Sequence, residues 1–185
     1  MKILVFDDTR KHRDAAWILL KGHELTVVGT YDEAEDLLMR SPNFDVVMTD
    51  LMVPASSHEQ GAEGWHFVGQ EMPLGSIIAL LALAEGVKKV AVVTDTNHHH
   101  HPASAALDCF NRVGGSGDVR IFCTNNALVP IDEQTMEAVD KNYPFSSEGQ
   151  EKYPARADHT RKGLFWAKDW KKVLDALLSE VEDGK

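Results

Sequence analysis

The chain has 185 residues, with 19 Lys or Arg against 29 Asp or Glu and a formal net charge of −10, which fits one domain, residues 1–185, with a decorated core. No long basic cluster offers a phosphate-neutralising surface, so direct nucleic-acid binding is excluded from the expectations. Met1 leads straight into a strand-like run and no apolar stretch reaches membrane-spanning length, so we expect no leader, no membrane contact and a cytoplasmic location.

Short apolar runs alternate with helical patterns along the chain. Residues 2–6 read as a strand, 14–21 as a helix, 25–28 as a strand, and 33–40 as a helix with Ala34, Leu37 and Leu38 on one face. Residues 45–49 follow as a strand, 74–85 as a helix, 89–94 as a strand, 103–113 as a helix and 119–123 as a strand. An amphipathic helix over 167–181 closes the chain. Strands alternating with helices require crossover connections, hence an α/β fold whose parallel sheet is covered by helices on both faces.

Two stretches break this rhythm. Residues 55–73 hold Gly61, Gly64 and Gly69 and follow Asp50 closely enough to overhang the strand ends. Residues 124–163 contain a short helix candidate, 131–140, and then a polar segment dotted with Tyr143, Phe145 and Tyr153. Loops this long inside compact domains are usually functional or disordered.

Three acids stand at strand ends. Asp7 and Asp8 close the run Ile3-Leu4-Val5-Phe6, and Asp50 closes Val46-Val47-Met48-Thr49. In an open α/β sheet ligands collect beyond the carboxyl ends of the strands. A lone Asp there is best explained as a cap or a solvated group, but three at matching positions point to a divalent-metal site, and hard cations such as Mg²⁺ take oxygen ligands.

The chain resembles the receiver domain of two-component response regulators. The matching pieces are Ile3-Leu4-Val5-Phe6-Asp7-Asp8, then Asp45-Val46-Val47-Met48-Thr49-Asp50-Leu51-Met52-Val53-Pro54, then Val90-Ala91-Val92-Val93-Thr94. Gly64-Trp65-His66-Phe67-Val68 is similar to the segment that opens the third helix of that family, displaced by an insertion. The match runs in order from residue 1 to about 123 and resumes in the last helix. It implies a flavodoxin-like, doubly wound, five-stranded parallel sheet of order 2-1-3-4-5.

The resemblance further implies that Asp50 is a phosphoacceptor fed by a phosphohistidine on a histidine kinase or phosphotransfer protein. Asp7, Asp8, Asp50 and the backbone carbonyl of Met52 would hold Mg²⁺, and Thr94 would be the switch hydroxyl that bonds the phosphoryl group. The family's fifth strand normally ends in a Lys that pairs with the phosphoryl oxygens, whereas here Ile121-Phe122-Cys123-Thr124 runs into Asn125-Asn126. An amide donates a hydrogen bond but carries no charge. Lys162, just before the last helix, is the candidate to return to that place. With no basic output segment, a stand-alone receiver is expected, with a downstream protein partner and an optional homodimer.

Other features have blander readings. His98-His99-His100-His101 reads as a solvated loop with adventitious metal affinity, because consecutive histidines cannot all point inward. His12, His23, His58, His66 and His159 read as surface or structural, Cys109 and Cys123 as small apolar groups, and Trp166 with Trp170 as one core-packing helical face. Two other function classes compete with the phosphorelay. A degenerate receiver would act as a phosphorylation-independent interaction module, favoured by the displaced Lys. A Mg²⁺-dependent phosphatase of haloacid-dehalogenase type would use Asp7 and Thr94, but it spaces its leading acids by one residue and leaves Asp50-Leu51-Met52-Val53-Pro54 without a role.

Overall fold

The computed structural model describes residues 1–41, 43–58, 61–95, 102–106, 120–125, 128–142 and 164–179. The chain begins with β1 (Lys2–Phe6), α1 (Arg10–Leu19), β2 (Glu24–Val28), α2 (Tyr31–Arg40) and β3 (Val46–Asp50). A two-stranded hairpin, β4 (Val53–Pro54) with β5 (Glu71–Met72), encloses a 3-10 turn at Gly64–Phe67. Next come α3 (Gly75–Ala84), β6 (Lys89–Thr94), the single turn α4 (Pro102–Ala105) and β7 (Arg120–Asn125). The last elements are β8 (Leu128–Asp132), α5 (Glu133–Asn142), β9 (Leu164–Lys168) and α6 (Trp170–Leu178).

Four strands lie parallel in the order β2-β1-β3-β6. Beyond β6, the backbone of β7 is registered in parallel from Lys89↔Arg120 to Thr94↔Asn125. The strands are near-continuous apolar runs because both faces of the sheet are covered. Successive side chains alternate between those faces. Ile3, Val5, Val46, Met48, Ala91 and Val93 point to one side, where they meet Ala15 and Ala16 of α1, Leu20 just after it, Met136 of α5 and Trp170, Val173, Leu174 and Leu177 of α6. Leu4, Phe6, Val47, Val90 and Val92 point to the other, against Ala34 and Leu38 of α2 and Ile78, Ala79 and Ala82 of α3.

Local signals start the helices. Thr30 caps α2 reciprocally with Glu33: the Glu33 amide donates to Thr30 Oγ1 at 3.3 Å and the Thr30 amide to Glu33 Oε2 at 3.2 Å. Asp169 caps α6 by accepting from the Lys172 amide at 3.0 Å. No helix among the described residues is long and apolar enough to cross a membrane.

Several expectations need correction. The closing helix starts at Trp170, not at 167, because Asp169 caps it and residues 164–168 are extended and pair antiparallel with β8, from Leu128↔Lys168 to Asp132↔Leu164. Trp166 and Trp170 therefore do not share a helical face: Trp166 lies on β9 and is 42% exposed, while Trp170 is buried. The stretch 124–163, read as a loop around one short helix, contributes β8 as well as α5, which packs on α1. Gly64–Phe67 forms a 3-10 turn rather than opening the third helix, which starts at Gly75. The hairpin of residues 53–72 is closed by Ala55 N–H donating to the Gln70 carbonyl at 2.8 Å and Gly69 N–H donating to the Ala55 carbonyl at 2.9 Å. Of the helix expected over 103–113, Pro102–Ala105 is described and 107–113 lies outside the described residues.

Candidate functional site

Parallel pairing brings the acids together. Phe6 is registered with Thr49, so Asp7 and Asp50 leave adjacent strands side by side, and Asp50 is registered with Val93, one residue before Thr94. One ligand oxygen from each of Asp7, Asp8 and Asp50 lies within 4.8 Å of the others. Asp7, Asp50 and Thr94 are buried, and Asp8 is partly open to solvent. Met52, the source of the expected carbonyl ligand, is half-buried in the turn after β3 and packs against the α2–α3 core.

The cation missing from the sequence reading is Lys168. Its side chain is 0% exposed, and Nζ donates to Asp7 Oδ2 at 2.6 Å and lies 2.7 Å from Asp50 Oδ2. Lys162, the residue expected in this role, lies outside the described residues, as do His98 to His101, Cys109, Asn126, His159 and the three aromatics of the second insertion. Two clues to Lys168 were present in the sequence: it ends the apolar run Leu164-Phe165-Trp166-Ala167, and Asp169 after it is a good helix cap.

Backbone hydrogen bonds fix the remaining carboxylate oxygens. Asp7 Oδ1 accepts from the Thr9 amide at 2.9 Å, and Asp50 Oδ1 accepts from the Leu51 amide at 2.6 Å. From α1, Arg13 Nη1 donates to the carbonyls of both Asp7 (2.8 Å) and Asp8, clamping the loop that carries the acids. Gly29 leaves room for that guanidinium, since a Cβ there would stand 3.0 Å from Nη1. Gly75 abuts the other side: a Cβ there would fall 1.6 Å from the Asp50 carbonyl oxygen, so α3 approaches β3 this closely only with glycine at this point.

The electrostatics follow from burying three carboxylates around one ammonium. Burial pushes Asp7 up to about 8, with the Lys168 ammonium opposing the rise and the charge on Asp50 and Asp8 adding to it. Asp50 and Asp8 are raised for the same first reason, burial. Burial opposes the charge on Lys168, but Asp7 and Asp50 outweigh it and hold the ammonium above its ordinary pKa. Glu71, brought by the hairpin, is raised by partial burial and by the charges of Asp8, Asp50 and Asp95, so the insertion adds an acid near the pocket.

These residues can hold a metal ion. The donor set is all oxygen, Asp8 is partly open to solvent, and among the described residues the three carboxyl groups outnumber the one ammonium paired with them, leaving negative charge for a hard cation to balance. No protein-family model matches the sequence, and no curated protein matches it.

Among the scattered histidines that are described, His12 has the most conspicuous position. It is 1% exposed, its Nδ1 accepts from the Lys168 amide at 3.0 Å, and its Nε2 faces Asp95 Oδ2 at 3.4 Å. Among the others, His58 is exposed and its Nδ1 lies 3.6 Å from Asp32 Oδ1; Asp32 also accepts from the Ser56 hydroxyl, which ties the first insertion to α2.

Proposed function

We propose that the chain is a receiver-type phosphoacceptor of two-component signalling, taking a phosphoryl group on Asp50 with Mg²⁺ held by Asp7, Asp8, Asp50 and the Met52 carbonyl. The observation that carries this reading is the buried Lys168 ammonium, 2.6 Å from Asp7 and 2.7 Å from Asp50 beside the oxygen cluster. The fold side of the proposal makes β7 a fifth parallel strand, giving the flavodoxin-like order 2-1-3-4-5.

Bound Mg²⁺ would neutralise charge on the transferring phosphoryl oxygens. An Asp50 carboxylate oxygen forms the new P–O bond while the P–N bond to a donor imidazole breaks, and the departing imidazole takes up a proton from solvent. Lys168 supplies a fixed positive charge beside the attacking group, and burial keeps bulk water from screening it. The Leu51 amide orients Asp50 through Oδ1, and Thr94, one residue past the register partner of Asp50, offers its hydroxyl to the product. The donor is a histidine kinase or phosphotransfer protein, and the phosphorylated form signals to a protein partner in the cytoplasm, as a monomer or homodimer, without nucleic acid or membrane.

Incubation with Mg²⁺ and acetyl phosphate followed by intact mass measurement tests this. A single phosphoryl adduct that is lost in Asp50→Asn is the expected result. Absence of any adduct on the parent protein refutes the phosphoacceptor and leaves an interaction module. Turnover of phosphomonoesters that depends on Asp7 would place the chain among phosphatases instead.

A further inference from the structure

We propose that His12 is a positioning residue that sets the place of the Lys168 ammonium and ties it to the strand end bearing Thr94; this rests on the reading of Asp50 as phosphoacceptor. Lys168 does not arrive on the parallel sheet. It ends β9, whose partner is the antiparallel β8, and its own amide donates to His12 Nδ1 at 3.0 Å. Two residues on, the Trp170 indole N–H donates to the His12 carbonyl at 2.7 Å. The first turn of α1 thus grips the chain on both sides of the Lys168–Asp169 step where strand becomes helix.

The imidazole's protonation follows from its partners. Because Nδ1 accepts a hydrogen bond from an amide it carries no proton, so Nε2 carries the proton and donates toward Asp95. Burial favours this neutral form, pushing His12 down to about 4, and the hydrogen bond from His12 holds Asp95 well below the usual carboxylate range. Asp95 directly follows Thr94 at the end of β6. One ring therefore joins two separate parts of the chain that serve the proposed reaction: the backbone amide of the residue bearing the ammonium through Nδ1, and the residue after Thr94 through Nε2.

A Lys side chain is long and flexible, and anchoring its backbone shortens the search for the bridging position between Asp7 and Asp50. Substitutions separate the two contacts. In His12→Asn the amide oxygen stands near the Nδ1 position and can accept from Lys168, whereas in His12→Gln the amide reaches the Nε2 position and leaves the Lys168 amide without its acceptor. His12→Phe removes both.

The experiment measures the rate of Asp50 phosphorylation by acetyl phosphate with Mg²⁺, together with hydrogen exchange at the Lys168 backbone amide. Loss of that hydrogen bond is expected to slow phosphorylation on the order of tenfold in His12→Phe and His12→Gln, with faster exchange at Lys168, while His12→Asn restores both to within about twofold. Should the Phe variant not fold, the Gln and Asn pair carries the same contrast. Phosphorylation at the parent rate in His12→Gln with the Lys168 amide still protected, or no rescue by His12→Asn, overturns the proposal. If the parent accepts no phosphoryl group, the phosphoacceptor reading fails by itself. Amide exchange then decides the anchoring: faster in His12→Gln supports it, and unchanged exchange overturns it.

Discussion

Replacing Lys168 with Met keeps most of the buried stem and removes the charge, leaving Asp7 and Asp50 in the protein interior without their shared cation. Burial already pushes Asp7 up to about 8, so in the metal-free protein at pH 7 it readily carries a proton, and the new cost falls mainly on Asp50. Asp50 starts from an ordinary carboxyl value of 3.8, and protonating such a group at pH 7 costs about 4 kcal/mol at about 1.4 kcal/mol per pH unit. That figure is the ceiling on the destabilisation, and it agrees with the roughly 3–5 kcal/mol that follows removal of one partner from a buried ion pair. The sign with pH is fixed. In the variant the folded-state pKa of Asp50 lies above its unfolded value, so the variant's relative stability is retained at low pH and lost as pH rises. Urea denaturation in EDTA, with a slope of about 2 kcal/mol per molar, should show a midpoint about 2 M below the parent at pH 7 and less than about 1 M below it at pH 5. Added Mg²⁺ should narrow the pH 7 gap, because the ion supplies the missing positive charge. Equal midpoints for variant and parent at pH 7, or a gap that does not shrink on acidification, would refute this account of the pocket.

Two further outcomes follow from the same geometry. Gly75→Ala places a methyl 1.6 Å from the Asp50 carbonyl oxygen, so α3 must shift off β3; calorimetry should show a loss of several kcal/mol, and an unchanged melting temperature would mean the contact is not rigid. Mg²⁺ binding must displace the proton that Asp7 holds below about pH 8, so affinity by isothermal titration should rise up to about tenfold per unit from pH 6 to 8 and then level off. A flat profile over that interval would show that Asp7 is already ionised or is no ligand.

The acids were legible in the sequence for a local reason. The Asp7-Asp8 pair and Asp50 stand at the ends of two largely apolar runs, and parallel pairing in a sheet covered on both faces brings such ends to one edge. The alternation of Ile3 and Val5 with Leu4 and Phe6 between two cores was equally implicit in a buried strand. The place of Lys168 in the pocket was not legible despite those local clues, because it is set by a partner far away in sequence: β9 is extended through pairing with β8, so Ala167 and Lys168 passed for the start of an amphipathic helix. His12 was hidden for the same reason, since its contacts to Lys168 and Asp95 span 156 and 83 residues. The third helix was legible as the apolar pattern over 74–85 and stands at Gly75–Ala84, whereas Gly64-Trp65-His66-Phe67-Val68, similar to the segment that opens that helix in the resembled family, forms a 3-10 turn inside the hairpin.

The route by which Lys168 arrives changes what the pocket requires of the rest of the chain. A lysine at the end of a strand in the main sheet would inherit its position from the ladder, as Asp7 and Asp50 do. Here the chain leaves β7, builds the β8 strand and α5 against α1, and returns as β9, so the ammonium is held by what packs on α1. The acids are clamped from α1 as well, through Arg13 on the carbonyls of Asp7 and Asp8. Both signs of charge in the pocket therefore refer to one helix. A displacement of α1 moves the carboxylates and the ammonium together, whereas a displacement of the β6 end that carries Thr94 and Asp95 reaches the Lys168 backbone through His12 and its ammonium through β3 and Asp50. With one ammonium against three carboxyl groups among the described residues, that shared frame still leaves negative charge at the opening beside Asp8, where a divalent ion would complement Lys168 rather than replace it.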